Sequence, residues 1–331
     1  MNIKVKSSAL KKAIKEMSYL YKYSEQYRAF NMTIHGSSLY ISANTGLRYE
    51  TDLRLAEPAT EDYDVNLLYQ DISELLGERG DVTLDMTPVS CTVLTGVFEV
   101  TFTESNDSVT PLRRPRAEYT EEISDHFADI CKTLTNTLTF RKAYKLTPLL
   151  TFNGSKSCVK FPTVWIETDG GYLHKTITME TAEVIQNFHP TEFVENEDTV
   201  VFYNDTATLI VPASAPESNT FDQLVRGMNL MCELDVTNIV SAMRKITRIL
   251  GNGQVNLFFS PKGLRMQIMR AGIHSMLTFG EMTQINLSVQ LPLEFVFAVF
   301  SLLGSTVKIF YGGGKLCLQN FDTRILMSVN S

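Results

Sequence analysis

An internal repeat constrains this chain more than any other feature of its sequence. Leu10, Ile14, Met17 and Tyr21 follow one another at spacings of four, three and four, which sets them on one face of a helix. Adding 113 to those numbers gives Ile123, Phe127, Ile130 and Leu134. Adding 229 to the first three gives Ile239, Met243 and Ile246, with Ile249 and Leu250 closing the stripe. One amphipathic pattern thus recurs at intervals of about 115 residues, the mark of a structural unit copied along a chain. Ser7 and Ser8, Thr120, and Asp235 or Thr237 stand where a side-chain oxygen can receive the free amides of each first turn.

The flanking segments repeat as well. Short alternating runs at Ile3 to Val5 and Met231 to Leu234 read as strands ahead of the first and third helices. Two strand-like runs around a turn follow each helix: Phe30 to Ile34 with Leu39 to Ser42, Leu149 to Phe152 with Thr163 to Glu167, and Val255 to Phe259 with Leu264 to Ile268. A second helical segment is predicted at Leu67 to Leu76, Met179 to Phe188 and Pro292 to Leu303, and Leu75-Leu76-Gly77 recurs as Leu302-Leu303-Gly304. Alternating strands close each unit, at Val82 to Leu84 and Val97 to Phe102, Val200 to Phe202 and Thr208 to Val211, and Val307 to Ile309 and Leu316 to Val329. The expected fold class is α+β, with three tandem domains of two helices packed on antiparallel sheet. Pro-broken stretches at Pro111 to Arg116 and Pro212 to Asn219 place the boundaries, giving 1–115, 116–221 and 222–331.

Composition narrows the function. A net charge of −7 argues against coating nucleic acid over the whole surface but leaves room for local basic strips. No run reaches the roughly 18 apolar residues of a membrane span, and the lysine-studded amino terminus lacks the apolar block of a signal peptide, so a cytoplasmic location, bacterial or in an infected host, is expected. Five scattered cysteines without a CxxC pair suggest neither a disulfide framework nor a zinc site. The five histidines form no HExxH, no serine sits in GxSxG, and Gly312-Gly-Gly314 is followed by Lys315-Leu316 rather than the ending of a phosphate loop. No enzyme, metal or cofactor is expected.

Within the second repeat, Glu167-Thr-Asp-Gly-Gly-Tyr-Leu173 resembles the Ala-Thr-Asp-Gly-His-Arg-Leu stretch of the middle domain of the bacterial sliding clamp, the beta subunit of the replicative polymerase. It departs from that stretch at Glu167, Gly171 and Tyr172. The carboxyl end, Ile325-Leu-Met-Ser-Val-Asn-Ser331, differs from the family's Pro-Met-Arg-Leu-like tail, which suggests a phage-encoded or otherwise distant member. The resemblance implies a non-catalytic processivity factor: a head-to-tail homodimer whose six domains form a ring around duplex DNA, without sequence preference, and tether a polymerase to it. Polymerase and clamp loader would dock through short peptide motifs.

Site residues follow from the helix faces and from this resemblance. Lys11, Lys12, Lys15 and Lys22 on the first helix, and Arg244, Lys245 and Arg248 on the third repeat's helix, are candidates for contacting phosphates. The middle helix offers Lys132 beside Asp125 and Asp129. Arg141, Lys142 and Lys145 match the family's DNA-contacting loop, while Arg113, Arg114 and Arg116 read as exposed linker. By position in the family, Leu146, Thr168, Gly170, Tyr172, Leu173, Ile325 and Met327 would form the peptide pocket, and Ile249 and Leu250 the dimer interface. A β-rich viral structural or assembly protein is the alternative; it would have no need of basic strips on equivalent helices.

Overall fold

A computed structural model describes residues 1–23, 28–112, 117–124, 126–250, 253–260, 263–270, 273–279, 287–304 and 306–329. The first third runs β1 (Asn2–Lys6), α1 (Ser7–Tyr21), β2 (Ala29–His35), β3 (Ser38–Asn44), β4 (Arg48–Arg54), β5 (Tyr63–Leu68), β6 (Asp81–Thr87), β7 (Ser90–Leu94) and β8 (Glu99–Thr103). The middle third runs β9 (Glu121–Glu122), α2 (Phe127–Thr135), α3 (Leu138–Tyr144), β10 (Leu149–Asn153), β11 (Lys156–Lys160), β12 (Val164–Asp169), β13 (Thr176–Thr178), α4 (Met179–Phe188), β14 (Glu192–Glu195), β15 (Thr199–Tyr203) and β16 (Ala207–Pro212). The last third runs α5 (Phe221–Val225), β17 (Asn229–Asp235), α6 (Thr237–Leu250), β18 (Gln254–Ser260), β19 (Gly263–Arg270), β20 (Ile273–Phe279), β21 (Leu287–Pro292), α7 (Leu293–Leu303), β22 (Thr306–Gly312), β23 (Lys315–Gln319) and β24 (Thr323–Ser328). No described helix is long and apolar enough to cross a membrane.

The strands pair antiparallel, and their order shows how the repeat is built. Each third contributes two four-stranded halves: β5-β2-β3-β4 and β1-β6-β7-β8, then β13-β10-β11-β12 and β9-β14-β15-β16, then β21-β18-β19-β20 and β17-β22-β23-β24. Four of these six halves are joined in pairs, β4 to β16 and β12 to β24, into two eight-stranded sheets. The two joints close alike, with the Thr206 carbonyl accepting from Asp52 N (3.2 Å) and the Asp322 carbonyl from Asp169 N (2.8 Å). Asn204 and Asn320 occupy the same turn in successive copies. Each accepts two amides of its own loop and donates through Nδ2 to the end of a helix, at Phe188 O (3.1 Å) and Leu303 O (2.7 Å).

The chain divides into two compact units, residues 1–128 with 180–215, and 129–179 with 216–331. In the first, Leu10, Ile14 and Met17 of α1 are buried with Phe30, Phe102 and Tyr49. In the second, Phe140 of α3 meets Phe295 of α7 edge-on at 5.0 Å and Phe161 at 5.5 Å.

Several expected elements differ. The helix predicted over Leu67 to Leu76 is replaced by the end of β5, which pairs with β2, and a single 3-10 turn at Ser73–Leu75. The Asp71 carboxylate accepts both the amide and the hydroxyl of Ser73, fixing a turn where a longer helix would need that amide, and Leu75 is left exposed. The middle helix starts at Phe127, because Glu121–Glu122 pairs with β14 and removes Ile123 from the helix. β10 pairs with β11 rather than with the Thr163 to Glu167 run, which belongs to the next strand. No side chain caps α1; Ser7 N instead donates to Gly80 O (3.0 Å), whereas Asp235 caps α6 by accepting Thr237 N at 2.9 Å.

Candidate nucleic-acid interface

The candidate cations lie on helices whose apolar stripes fix the opposite face. With Leu10, Ile14 and Met17 buried, α1 turns Lys12 and Lys15 to solvent, and Lys22 follows at its carboxyl end. Each of the four candidates here meets a carboxylate. Lys11 donates to Glu78 (2.6 Å), and this hydrogen bond raises its pKa. Lys12 lies 3.9 Å from Glu16, Lys15 3.9 Å from Glu74, and Lys22 3.3 Å from Glu183. Lys15 and Lys22 also pass over the rings of Tyr19 and Tyr23. The ammonium groups of Lys12, Lys15 and Lys22 stay at the solvent side of these pairs even where the carboxylate is buried, as Glu16 is, so phosphates can exchange with them.

On α6, Ile239 and Met243 are buried while Arg244, Lys245 and Arg248 are exposed, and Arg244 edges a shallow groove against Ser301 and Gly304 at the end of α7. The helix ends at Ile249 and Leu250, whose side chains lie outside the described residues, as do Arg113, Arg114 and Arg116. Lys132 is exposed on α2. Arg141 and Lys142, expected in a loop, belong to α3, and Lys145 caps it in the left-handed region (φ 51°). A helix forms here because Phe140 finds the core formed by Phe161 and Phe295, which anchors one turn. Together with the exposed Leu138 and Leu146, the three cations line an open groove.

The structure separates the pocket candidates into two groups. Thr168, Leu173, Ile325 and Met327 are buried, and the Thr323 hydroxyl donates to that of Thr168 at 3.2 Å. Leu146 and Tyr172 are exposed, and Gly170 is half-buried. The loop carrying Gly170, Gly171 and Tyr172 holds three successive positive φ angles, 93°, 116° and 53°. A Cβ on Gly171 would run into the Ser157 hydroxyl and lie 2.9 Å from Phe152 Cδ1, so only glycine fits.

Two buried polar clusters had no sequence signal beyond their residue types. Glu16, on the buried side of α1, accepts the Tyr49 hydroxyl (2.8 Å) and Asn204 Nδ2 (3.1 Å). Glu167 on β12 faces Arg324 across the β12–β24 joint. Their recurrence beside joints would have been visible only with strand order known.

No family model matches the chain, and no curated protein sequence does. Solved structures are nonetheless similar along its whole length. The beta clamp of Helicobacter pylori bound to a DNA ligase peptide aligns over 100% of both chains at 10% identity, with a TM-score of 0.77. The DNA polymerase III subunit beta of Pseudomonas aeruginosa aligns over 100% of both at 14% identity and 0.77. A putative DNA polymerase III beta subunit of Eubacterium rectale aligns over 100% of this chain and 99% of its own at 11% identity and 0.80. The shared property at such identities is the fold.

Proposed function

We propose that this chain, which has the fold of the bacterial sliding clamps, is itself a sliding clamp. Two copies close a ring around duplex DNA and tether a polymerase, without catalysis, in the cytoplasm of a bacterium or an infected host. Three clamp domains, 1–115, 116–221 and 222–331, supply the six domains of that ring. Arg244, Lys245 and Arg248, with the α1 lysines, Lys132 and the α3 cations, hold phosphates by exchangeable contacts. Polymerase and clamp loader dock through short peptides near Leu146, Gly170 and Tyr172, with Thr168, Leu173, Ile325 and Met327 as the supporting layer.

The observation that carries this reading is the incomplete third joint. β4 joins β16 and β12 joins β24, and by the same rule of the repeat β20 should join β8, yet each ends a four-stranded sheet. A second copy supplies the missing partner at both ends, a head-to-tail contact that closes on itself. Ile249 and Leu250 would support that seam. The two existing joints predict its register. Thr208 pairs with Glu50 and Arg324 with Glu167, and the matching hairpins make Glu99 the equivalent of Thr208 and Arg324. Carried onto β20 through its pairing with β19, these registers set Glu99 opposite Met276 or Thr278 of the second copy.

Light scattering at micromolar protein tests the ring: the expected mass is twice 37.3 kDa, and a stable monomer would overturn closure as stated. Glu99→Cys combined with Met276→Cys or with Thr278→Cys should cross-link copies in one of the two registers, and the oxidised ring should stay on circular DNA while sliding off linear DNA. A structural or assembly protein would be indifferent to replacing Arg244, Lys245 and Arg248 together.

A further inference from the structure

The segment after the second third is folded onto one face of the β12–β24 joint. On that face stand Trp165 and Glu167 of β12, paired with Leu326 and Arg324 of β24, flanked by Cys158 of β11 and Cys317 of β23. Phe221, fully buried, packs edge-on against Trp165 (ring centroids 5.5 Å apart) and under the Arg324 guanidinium (4.7 Å). Leu224, Val225 and Met228 complete the cover. Polar contacts pin it at one edge: Asn219 Nδ2 donates to Glu167 (2.6 Å), and Arg324 and Lys156 reach Asp222 at 2.7 and 3.4 Å.

We infer that residues 219–228 form a releasable strap, a latch over an apolar sheet face rather than a fixed part of the core. The reason lies in what its departure would leave behind. Glu167, whose side chain is 1% exposed, is held from the sheet itself by Arg324 Nε (3.0 Å) and Lys156 (3.3 Å), so lifting the strap leaves no buried charge without a partner. The strap's own share of the clasp is at the solvent edge, since the Asp222 side chain is 69% exposed. Its five-residue helix is far below the length at which a helix stands alone, so strap order depends on this docking. Lifted, it uncovers an apolar face edged by two cations, a surface complementary to an aromatic ring beside a carboxylate, as in Phe221-Asp222. The strap would work this way whether or not two copies close a ring.

Trp165 is the one tryptophan of the chain and a built-in reporter. Cys158 and Cys317 are a second, since burial pushes their thiols up to about 11 and about 12 and keeps them unreactive. In the full chain, Asp222→Asn and Phe221→Ala should each red-shift Trp165 emission and raise its quenching by acrylamide. Labelling of Cys158 and Cys317 by a thiol reagent, located by peptide mass, should speed up about two- to fivefold in Asp222→Asn, the range of an exposed ion pair, and about tenfold or more in Phe221→Ala, with Cys91 and Cys131 unchanged. Should Phe221→Ala fail to fold, Asp222→Asn decides alone. Unchanged emission and labelling in Asp222→Asn would overturn the latch, and so would all five cysteines accelerating together, which would mark general loosening.

Discussion

Glu16 shows how one side chain can set conditions for a whole helix. It sits on the buried side of α1, and desolvation raises its pKa above 4.5 despite the Tyr49 and Asn204 hydrogen bonds and nearby Lys12. A carboxylate whose folded pKa lies above its unfolded value is penalised when ionised, so its cost is present at neutral pH. The cost is relieved as pH falls through the raised value toward the unfolded one. Glu16→Gln carries no such penalty, and its Tm relative to the parent protein should rise as the pH climbs above 4.5 and then level off once Glu16 is ionised in the folded chain; a difference constant with pH would contradict the assignment. Tyr49→Phe removes a donor to the buried carboxylate and should cost about 1–3 kcal/mol in urea denaturation. Gly171 is as demanding for steric reasons, and Gly171→Ala should cost about 1–3 kcal/mol or more, measured in the same way. The resemblance of the Glu167 to Leu173 stretch located that glycine's loop in the sequence. Its obligate conformation arises from Ser157 and Phe152 on neighbouring strands, which no local pattern reveals.

Elements were legible where their apolar spacing had no rival. The stripe of α1 and the first two positions of that of α6 stand as read, because Leu10, Ile14, Met17, Ile239 and Met243 find one core side and, apart from Glu16, the charged residues lie off it, while Ile246 is only half-buried and the side chains of Ile249 and Leu250 lie outside the described residues. The expected helix after Leu67 failed because Leu67 and Leu68 also fit a strand, and β2 was there to pair with it. β11 went unseen because Lys156-Ser-Cys-Val-Lys160 alternates weakly, although the Gly154 turn before it, with φ 63°, forms the hairpin. The cluster of Phe140, Tyr144, Phe161 and Phe295 was equally hidden, since it joins residues far apart in the chain. Phe140→Ala should destabilise the protein by about 3–5 kcal/mol and release α3, seen as loss of amide protection over 138–144.

At the scale of the molecule, the candidate site was legible as a set of exposed cations but not as a network. Lys22 with Glu183, and Asn204 with Glu16 across 188 positions, depend on joints that only strand order shows. If the proposed DNA contacts are made, replacing Arg244, Lys245 and Arg248 by neutral residues should lower the slope of log affinity against log salt by about 0.9 per lost contact, up to about 2.7, in a duplex-binding titration. An unchanged slope would remove α6 from the DNA-facing surface. The joined sheets carry one more consequence. The middle copy keeps no sheet to itself, having given one half to each neighbour, so the repeat read along the sequence and the bodies that cohere in space are out of step by half a period. Fragments cut at the expected boundaries of 115 or 222 would therefore follow the repeat and divide the sheets, each exposing a raw strand edge where β4 or β12 had been sewn to the next copy.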